Sequence, residues 1–201
     1  MGYAIPAELT RAEIEIKKSR FIAYARHIET REQGMQWLEA IKAEYPDARH
    51  HCWAYLIGNP TCASNAGMGD DGEPSGTAGK PILNVLQHKG VGDVMIIVVR
   101  YFGGIKLGAG GLTRAYGQAA QAVMEILPVI EQVPTVTFVL ECDFGLEQQI
   151  RHLADTLSAH IESVDYQSQV HMRVIVPEVA RQSFSDSLKA HACPFKVETP
   201  A

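Results

Sequence analysis

The run Val94-Met-Ile-Ile-Val-Val99 is apolar at every position. A strand alternates its side chains between two faces, so a run of this kind must be covered on both. It predicts a central strand with further structure above and below. Directly after it comes Arg100-Tyr-Phe-Gly-Gly-Ile-Lys-Leu-Gly-Ala-Gly-Gly-Leu-Thr-Arg-Ala-Tyr116, and then an alanine-rich helical pattern with Leu112, Ala115, Ala119, Val123 and Ile126 on one face. A buried strand, a glycine loop and a long helix therefore form the frame around which the N-terminal part is built.

Further elements read in the same way. Arg20–Ala25 reads as a strand, preceded by Lys17 and Lys18. Thr30 and Gln33 make a capping-box signal ahead of Met35, Leu38, Ile41 and Tyr45, and Pro46 ends that helix. His51–Ile57 reads as a strand, Asn59–Gly72 as loop, and Ala78–His88 as a short helix with Ile82, Val85 and Leu86 inward. Pro128 and Pro134 interrupt the chain twice, which places a boundary between domains of residues 1–130 and 131–201. Beyond it a strand (Thr135–Leu140), a helix capped by Asp143, strands Ile161–Tyr166 and Val170–Val176, a helix opened by Pro177 and a last strand at Pro194–Val197 give the order βαββαβ. The fold class is α+β, with a ferredoxin-like C-terminal domain.

Charge separates the two parts. Residues 1–130 hold 13 Lys+Arg against 13 Asp+Glu, and residues 131–201 hold 5 against 10, so the formal net charge of −5 lies wholly in the second part. An acidic domain is a poor binder of phosphate backbones, because that affinity comes from cations. Any nucleic-acid contact is expected on the first part. No apolar run reaches the roughly 18–20 residues that span a bilayer, and the first residues lack a secretory pattern. A cytoplasmic location without membrane contact is the expectation. The four cysteines, Cys52, Cys62, Cys142 and Cys193, are scattered without a C-x-x-C pair, so neither a zinc ribbon nor a disulfide framework is indicated.

Chemistry-bearing residues gather in three segments: Asp47-Ala-Arg-His-His-Cys52, Asp70-Asp-Gly-Glu-Pro-Ser-Gly-Thr-Ala-Gly-Lys-Pro81 and the glycine loop. Familiar phosphate motifs are rejected. A P-loop needs G-x-x-x-x-G-K-[ST], but here Gly79-Lys80 is followed by Pro81 and preceded by Pro74 at the first glycine position. A dinucleotide fingerprint needs G-x-G-x-x-G, and Gly108-Ala-Gly110-Gly-Leu runs into Thr113. Free amides at a helix start still suit an anion, with close packing of the loop on the sheet as the plain alternative. His50 and His51 point to opposite faces of a strand, so they do not share a metal ion, and Asp70, Asp71 and Glu73 are read chiefly as partners of cations that order their loop. Ser75, Thr77 or Cys52 beside a histidine is no nucleophile motif, and G-x-S-x-G is absent. No catalytic residue, metal or cofactor is assigned.

At these segments the chain resembles the IMPACT family, and its length and second domain look like bacterial members of the YigZ type. The resemblance rests on Lys17-Lys-Ser-Arg-Phe-Ile22, the Asp47 and Asp70 segments, and Val99-Arg-Tyr-Phe-Gly-Gly-Ile-Lys-Leu-Gly-Ala-Gly-Gly-Leu112, four motifs in order. It implies an N-terminal domain similar to the second domain of a small-subunit ribosomal protein, a fold shared with GHMP-type kinases, and a C-terminal domain similar to one in elongation factor G. The serine-rich GHMP pattern is missing at Leu107–Leu112, which argues against kinase activity. Eukaryotic relatives act in translational control through an activator of an amino-acid-starvation kinase, a partner that belongs to them.

The expected function is binding in translation, with RNA, the ribosome or a translation-associated protein as partner. The expected surface comprises Arg49, His51, Lys80, Arg100, Tyr101, Gly104, Lys106, Gly108, Gly110, Gly111, Arg114 and Tyr116. In this reading the cations meet phosphates and Tyr101 or Tyr116 stacks on a base. The alternative is an enzyme or sensor for a small phosphorylated ligand held at Gly108–Gly111, with Asp70, Asp71 or Glu73 as Mg²⁺ holder or base. A protein-docking module using the acidic second domain is the third.

Overall fold

The computed structural model describes residues 2–198. Tyr3–Gln132 forms one compact unit and the chain from Val133 forms a second. In the first, β1 (Tyr3–Pro6), β2 (Thr10–Ile16) and β3 (Ser19–His27) precede α1 (Arg31–Glu44). Then come β4 (His50–Ile57), β5 (Asn65–Gly69), α2 (Gly79–Lys89), β6 (Val94–Tyr101), α3 (Ala109–Ile126) and β7 (Val129–Gln132). Five strands make an antiparallel sheet in the order β2-β3-β6-β4-β5.

The continuous apolar run sits at the centre of that sheet because both faces are covered. Val94, Ile96 and Val98 pack into the core under α2 and α3, with Ala119 and Val123. Met95, Ile97 and Val99 face the opposite cluster, with Trp37, Leu38 and Ile41 of α1. The capping signal at α1 is realised in a shifted form: Gln33 N–H donates to Thr30 Oγ1, and Gln33 Oε1 accepts from Glu29 N–H rather than from the cap itself. Lys17 and Lys18 both adopt positive φ, 47° and 63°, as a two-residue hairpin turn between β2 and β3 demands.

Three expectations need correction. Asn59–Gly72 is not all loop: β5 pairs with β4 although glycine is a poor strand former. The pairing works because Tyr55 and Trp53, stacked 5.8 Å apart, lie where Cβ atoms on Gly67 and Gly69 would stand. The boundary expected between residues 130 and 131 falls inside β7, which pairs antiparallel with β1, so the first unit runs on to Gln132. Ile126, read as the end of the buried stripe, is exposed, and Met124 is buried instead.

The second unit contains β8 (Thr135–Cys142), α4 (Phe144–Thr156), β9 (His160–Tyr166), β10 (Val170–Pro177), a single 3₁₀ turn (Glu178–Ala180), α5 (Arg181–Ala190) and β11 (Phe195–Glu198). Its antiparallel sheet runs β11-β8-β10-β9, and its core joins Phe138, Leu140, Ile150, Met172, Val174 and Phe184. His171 and Arg173 lie on the face away from Val170 and Met172, and Arg173 pairs there with Glu162 and Glu198. The architecture is α+β in both units.

A candidate anion-binding cleft

The start of β4, the end of β6 and the start of α3 meet at one end of the five-stranded sheet. His50 and Arg100 are cross-strand neighbours, on the same face as Cys52 and Val98. A cleft of about 730 Å³ opens beside them. Asp47, Arg49, His50 and the exposed Pro74 line one side, and the buried Glu73 and Arg100 form the floor. The loop from Tyr101 and Phe102 through Lys106, Leu107 and Gly108 to Ala109 and Leu112 forms the other wall.

Helix α3 begins without a side-chain cap. Gly108 is the N-cap residue at φ 71° and ψ 167°, and the first turn holds no acid. The first amide with an internal acceptor is that of Leu112, which donates to Gly108 O at 2.9 Å. The N–H groups of Ala109, Gly110 and Gly111 precede it and have no helical acceptor, so this end carries a partial positive charge.

The acidic loop turns out to be architecture. Asp70 accepts from the backbone N–H groups of Gly76, Ala78 and Gly79 at 2.8, 3.0 and 2.8 Å, capping α2 from nine residues away. Burial pushes its carboxyl up, but the N–H donors of Gly76, Gly79 and Ala78 together outweigh this and hold it below the usual range. Asp71 accepts from His51 N–H at 2.7 Å, and its carbonyl accepts from His50 Nδ1 at 2.9 Å. Glu73 is buried and takes Arg100 Nη1 at 2.5 Å and the Tyr116 hydroxyl at 2.8 Å. Among the described residues, no three metal-ligating side chains gather around a common point.

Two expected contact residues are therefore corrected. Tyr116 is fully buried, edge-on to Phe21, with its hydroxyl committed to Glu73, so it offers no face to a base. His51 points to the α1 side of the sheet, and His50 takes its place in the cleft. The strand alternation that separates these histidines also decides which one is useful. Tyr101 reaches the rim, but its ring packs on the α1-side cluster beneath Arg20. Phe102, not singled out from the sequence, is 56% exposed with the Arg100 guanidinium over its ring. Its signal was there: it follows Arg100 and Tyr101 where the strand runs out into the glycine loop.

The remaining candidates are only partly gathered. Arg49, Arg100, Lys106 and Gly108 line the cleft, while Gly110 and Gly111 lie in the first turn of α3, next to the lining residue Ala109. Lys80, Gly104 and Arg114 are exposed outside the lining. Neither Arg49 nor Lys106 has an acidic partner among the described residues. Cys52 lies deeper, with Sγ 2.9 Å from Asp70 O and 3.3 Å from Tyr116 Oη. Burial pushes both its thiol and the Tyr116 phenol up, so neither supplies an anionic nucleophile.

The sequence of this frame matches known proteins. The Impact N-terminal domain matches residues 17–124, and a domain of unknown function (DUF1949) matches residues 140–189. The chain belongs to the IMPACT family. An IMPACT family member of Haemophilus influenzae is 41% identical over 92% of this chain and 90% of its own. The IMPACT family member YigZ of Escherichia coli is 40% identical over 93% and 92%. The crystal structure of a hypothetical protein with 36% identity superposes at a TM-score of 0.72, covering 100% of this chain and 98% of that one. The cleft, the acidic loop and the start of α3 fall inside the stretch matched by the Impact domain.

His51 carries a pH prediction. Burial lowers its pKa from the ordinary 6.5, against the pull of Asp71, and its Nε2 is buried without a partner. A histidine held neutral in the fold contributes stability above its unfolded pKa and loses it as pH falls toward the folded value. The urea midpoint, read by tryptophan fluorescence, is expected to fall from about pH 6.5 downward and to fall less in His51→Gln. Equal slopes in both proteins would rule His51 out as the cause.

Proposed function

We propose that this IMPACT family member is a binding protein of translational control that holds RNA at the cleft of its first unit. It would act in the cytoplasm, where translation takes place. The link to translation is supported by family membership, since the resemblance points to eukaryotic relatives in translational control. No helix among the described residues is long and apolar enough to cross a membrane.

One observation carries the RNA contact. Arg49 and Lys106, unpaired among the described residues, flank a cleft that ends in the free amides of α3, and Phe102 stands exposed beside them. Cations and amides suit phosphate, and an exposed ring suits an unpaired base. Because residues 1–130 carry no net charge, any attraction comes from this local concentration.

Fluorescence anisotropy with a single-stranded RNA tests it. Arg49→Ala with Lys106→Ala is expected to weaken binding at least tenfold at 50 mM salt. It should also reduce the slope of log affinity against log salt by about 1.4, at roughly 0.7 per lost contact. Phe102→Ala should remove roughly 1–3 kcal/mol of stacking. No binding at low salt, or affinity indifferent to all three changes, would end this reading.

A further inference from the structure

We propose that the floor of the cleft is a subsite for a terminal phosphate, the dianionic monoester group of a phosphorylated RNA 5′ end or of a nucleoside monophosphate. The inference rests on the reading that the cleft is where ligand is bound. It begins with Arg100. Only 8% of that side chain is exposed, and its Nη1 is committed to Glu73. Its Nε is buried and has no hydrogen-bond partner. A buried guanidinium N–H without an acceptor costs free energy that a bound oxyanion would recover. Arg100 lines the cleft, so the cleft is the side from which an acceptor would reach Nε once the guanidinium shifts to uncover it.

The second donor set is independent of the first. The α3 start offers the amides of Ala109, Gly110 and Gly111, with no acid in the first turn and no capping side chain to compete. Arg49 and Lys106 add two exposed cations at the walls. Donors therefore exceed what one internal phosphodiester accepts. A diester has two unbridged oxygens and one charge, whereas a monoester has three and close to two charges. Access makes the same choice: with so little of Arg100 exposed, only a group protruding from the end of its carrier reaches it. Glu73 fits this arrangement as a positioning residue, since it fixes the guanidinium by one edge and leaves the other for ligand.

The test uses the full chain and one RNA decamer made with a 5′-phosphate and with a 5′-hydroxyl, alongside AMP and inorganic phosphate, all by isothermal titration. The phosphorylated decamer is expected to bind at least tenfold tighter than its hydroxyl form. Arg100→Lys keeps the charge but loses the fork, and is expected to erase the preference. Since that change touches a buried pair, Ala109→Pro provides the second variant. Proline is tolerated at a first helical position, and Gly108 already has ψ 167°, the extended value a residue before proline needs. One amide is deleted while helicity by circular dichroism stays unchanged, and the preference should drop several-fold.

Equal affinity for the two decamers, or a preference that survives both variants, overturns the subsite. If both decamers bind alike and still depend on Arg49 and Lys106, the RNA reading stands without it. If AMP or phosphate binds, sensitive to Ala109→Pro, while neither decamer does, the subsite stands with a small phosphometabolite as its source and the RNA reading falls.

Discussion

Replacing Glu73 by alanine is expected to destabilise the Tyr3–Gln132 unit by roughly 3–5 kcal/mol. The Arg100 and Glu73 side chains are only 8% and 4% exposed, so water cannot replace the lost carboxylate. The Tyr116 hydroxyl loses its acceptor in the same step, and the loop that carries Glu73 loses its anchor to the sheet. Tryptophan fluorescence in urea isolates the effect, because Trp37 and Trp53 are the chain's two tryptophans and both lie in this unit. Glu73→Gln keeps an acceptor oxygen and should cost less, about 1–3 kcal/mol. Removing both partners, as Glu73→Leu with Arg100→Met, should restore much of the loss, since a buried pair exchanged for apolar groups of similar size is often close to neutral. A Glu73→Ala midpoint within about 0.5 kcal/mol of the parent would mean that the pair contributes little.

The same network shows what could be read from the chain and what could not. The central strand was legible because six apolar residues in a row admit few alternatives, and α3 was legible from its 3.6-residue stripe. The pairing of acids in the Asp70 segment with cations was visible as a class. Its detail was not: Asp70 serves backbone N–H groups, Asp71 takes the His51 N–H with Lys42 3.8 Å away, and Glu73 takes Arg100. Backbone partners leave no mark in side-chain types, so no spacing rule finds them. Tyr116 was misplaced for a related reason. A tyrosine one turn beyond a glycine loop looks like a surface ring, and only the packing of α3 on Phe21 turns it inward. Strands β5 and β7 were missed because tertiary partners outweigh local propensity: aromatic side chains cover glycines in one, and an N-terminal strand far away in sequence pairs with the other. His50 and His51 were separable from alternation alone, but choosing between them required knowing which face holds the cleft.

Gly103→Ala is expected to cost at least about 3 kcal/mol, the upper range for overpacking, whereas its neighbour Gly104→Ala should cost about 1 kcal/mol. The two glycines are adjacent and look interchangeable in sequence, yet different physics holds each. A Cβ on Gly103 would lie 1.9 Å from Lys18 C, 2.0 Å from Lys18 O and 2.4 Å from Ser19 N. All three are backbone atoms of the turn that joins β2 to β3, so no rotamer change relieves the clash. Gly103 N–H also donates to Ser19 Oγ at 3.2 Å, a contact that any retreat of the loop would break. Gly104 instead has φ +86° with nothing within 4 Å of its would-be Cβ, so alanine there meets only the strain of a left-handed backbone. The same docking holds Phe102 and Lys106 at the wall of the cleft. If the cleft holds RNA as proposed, Gly103→Ala weakens that binding along with stability, while Gly104→Ala leaves binding close to the parent. Urea midpoints by tryptophan fluorescence and anisotropy on the same samples check both halves. If the two variants lose stability equally, space against the Lys17–Lys18 turn is not what Gly103 is there to provide.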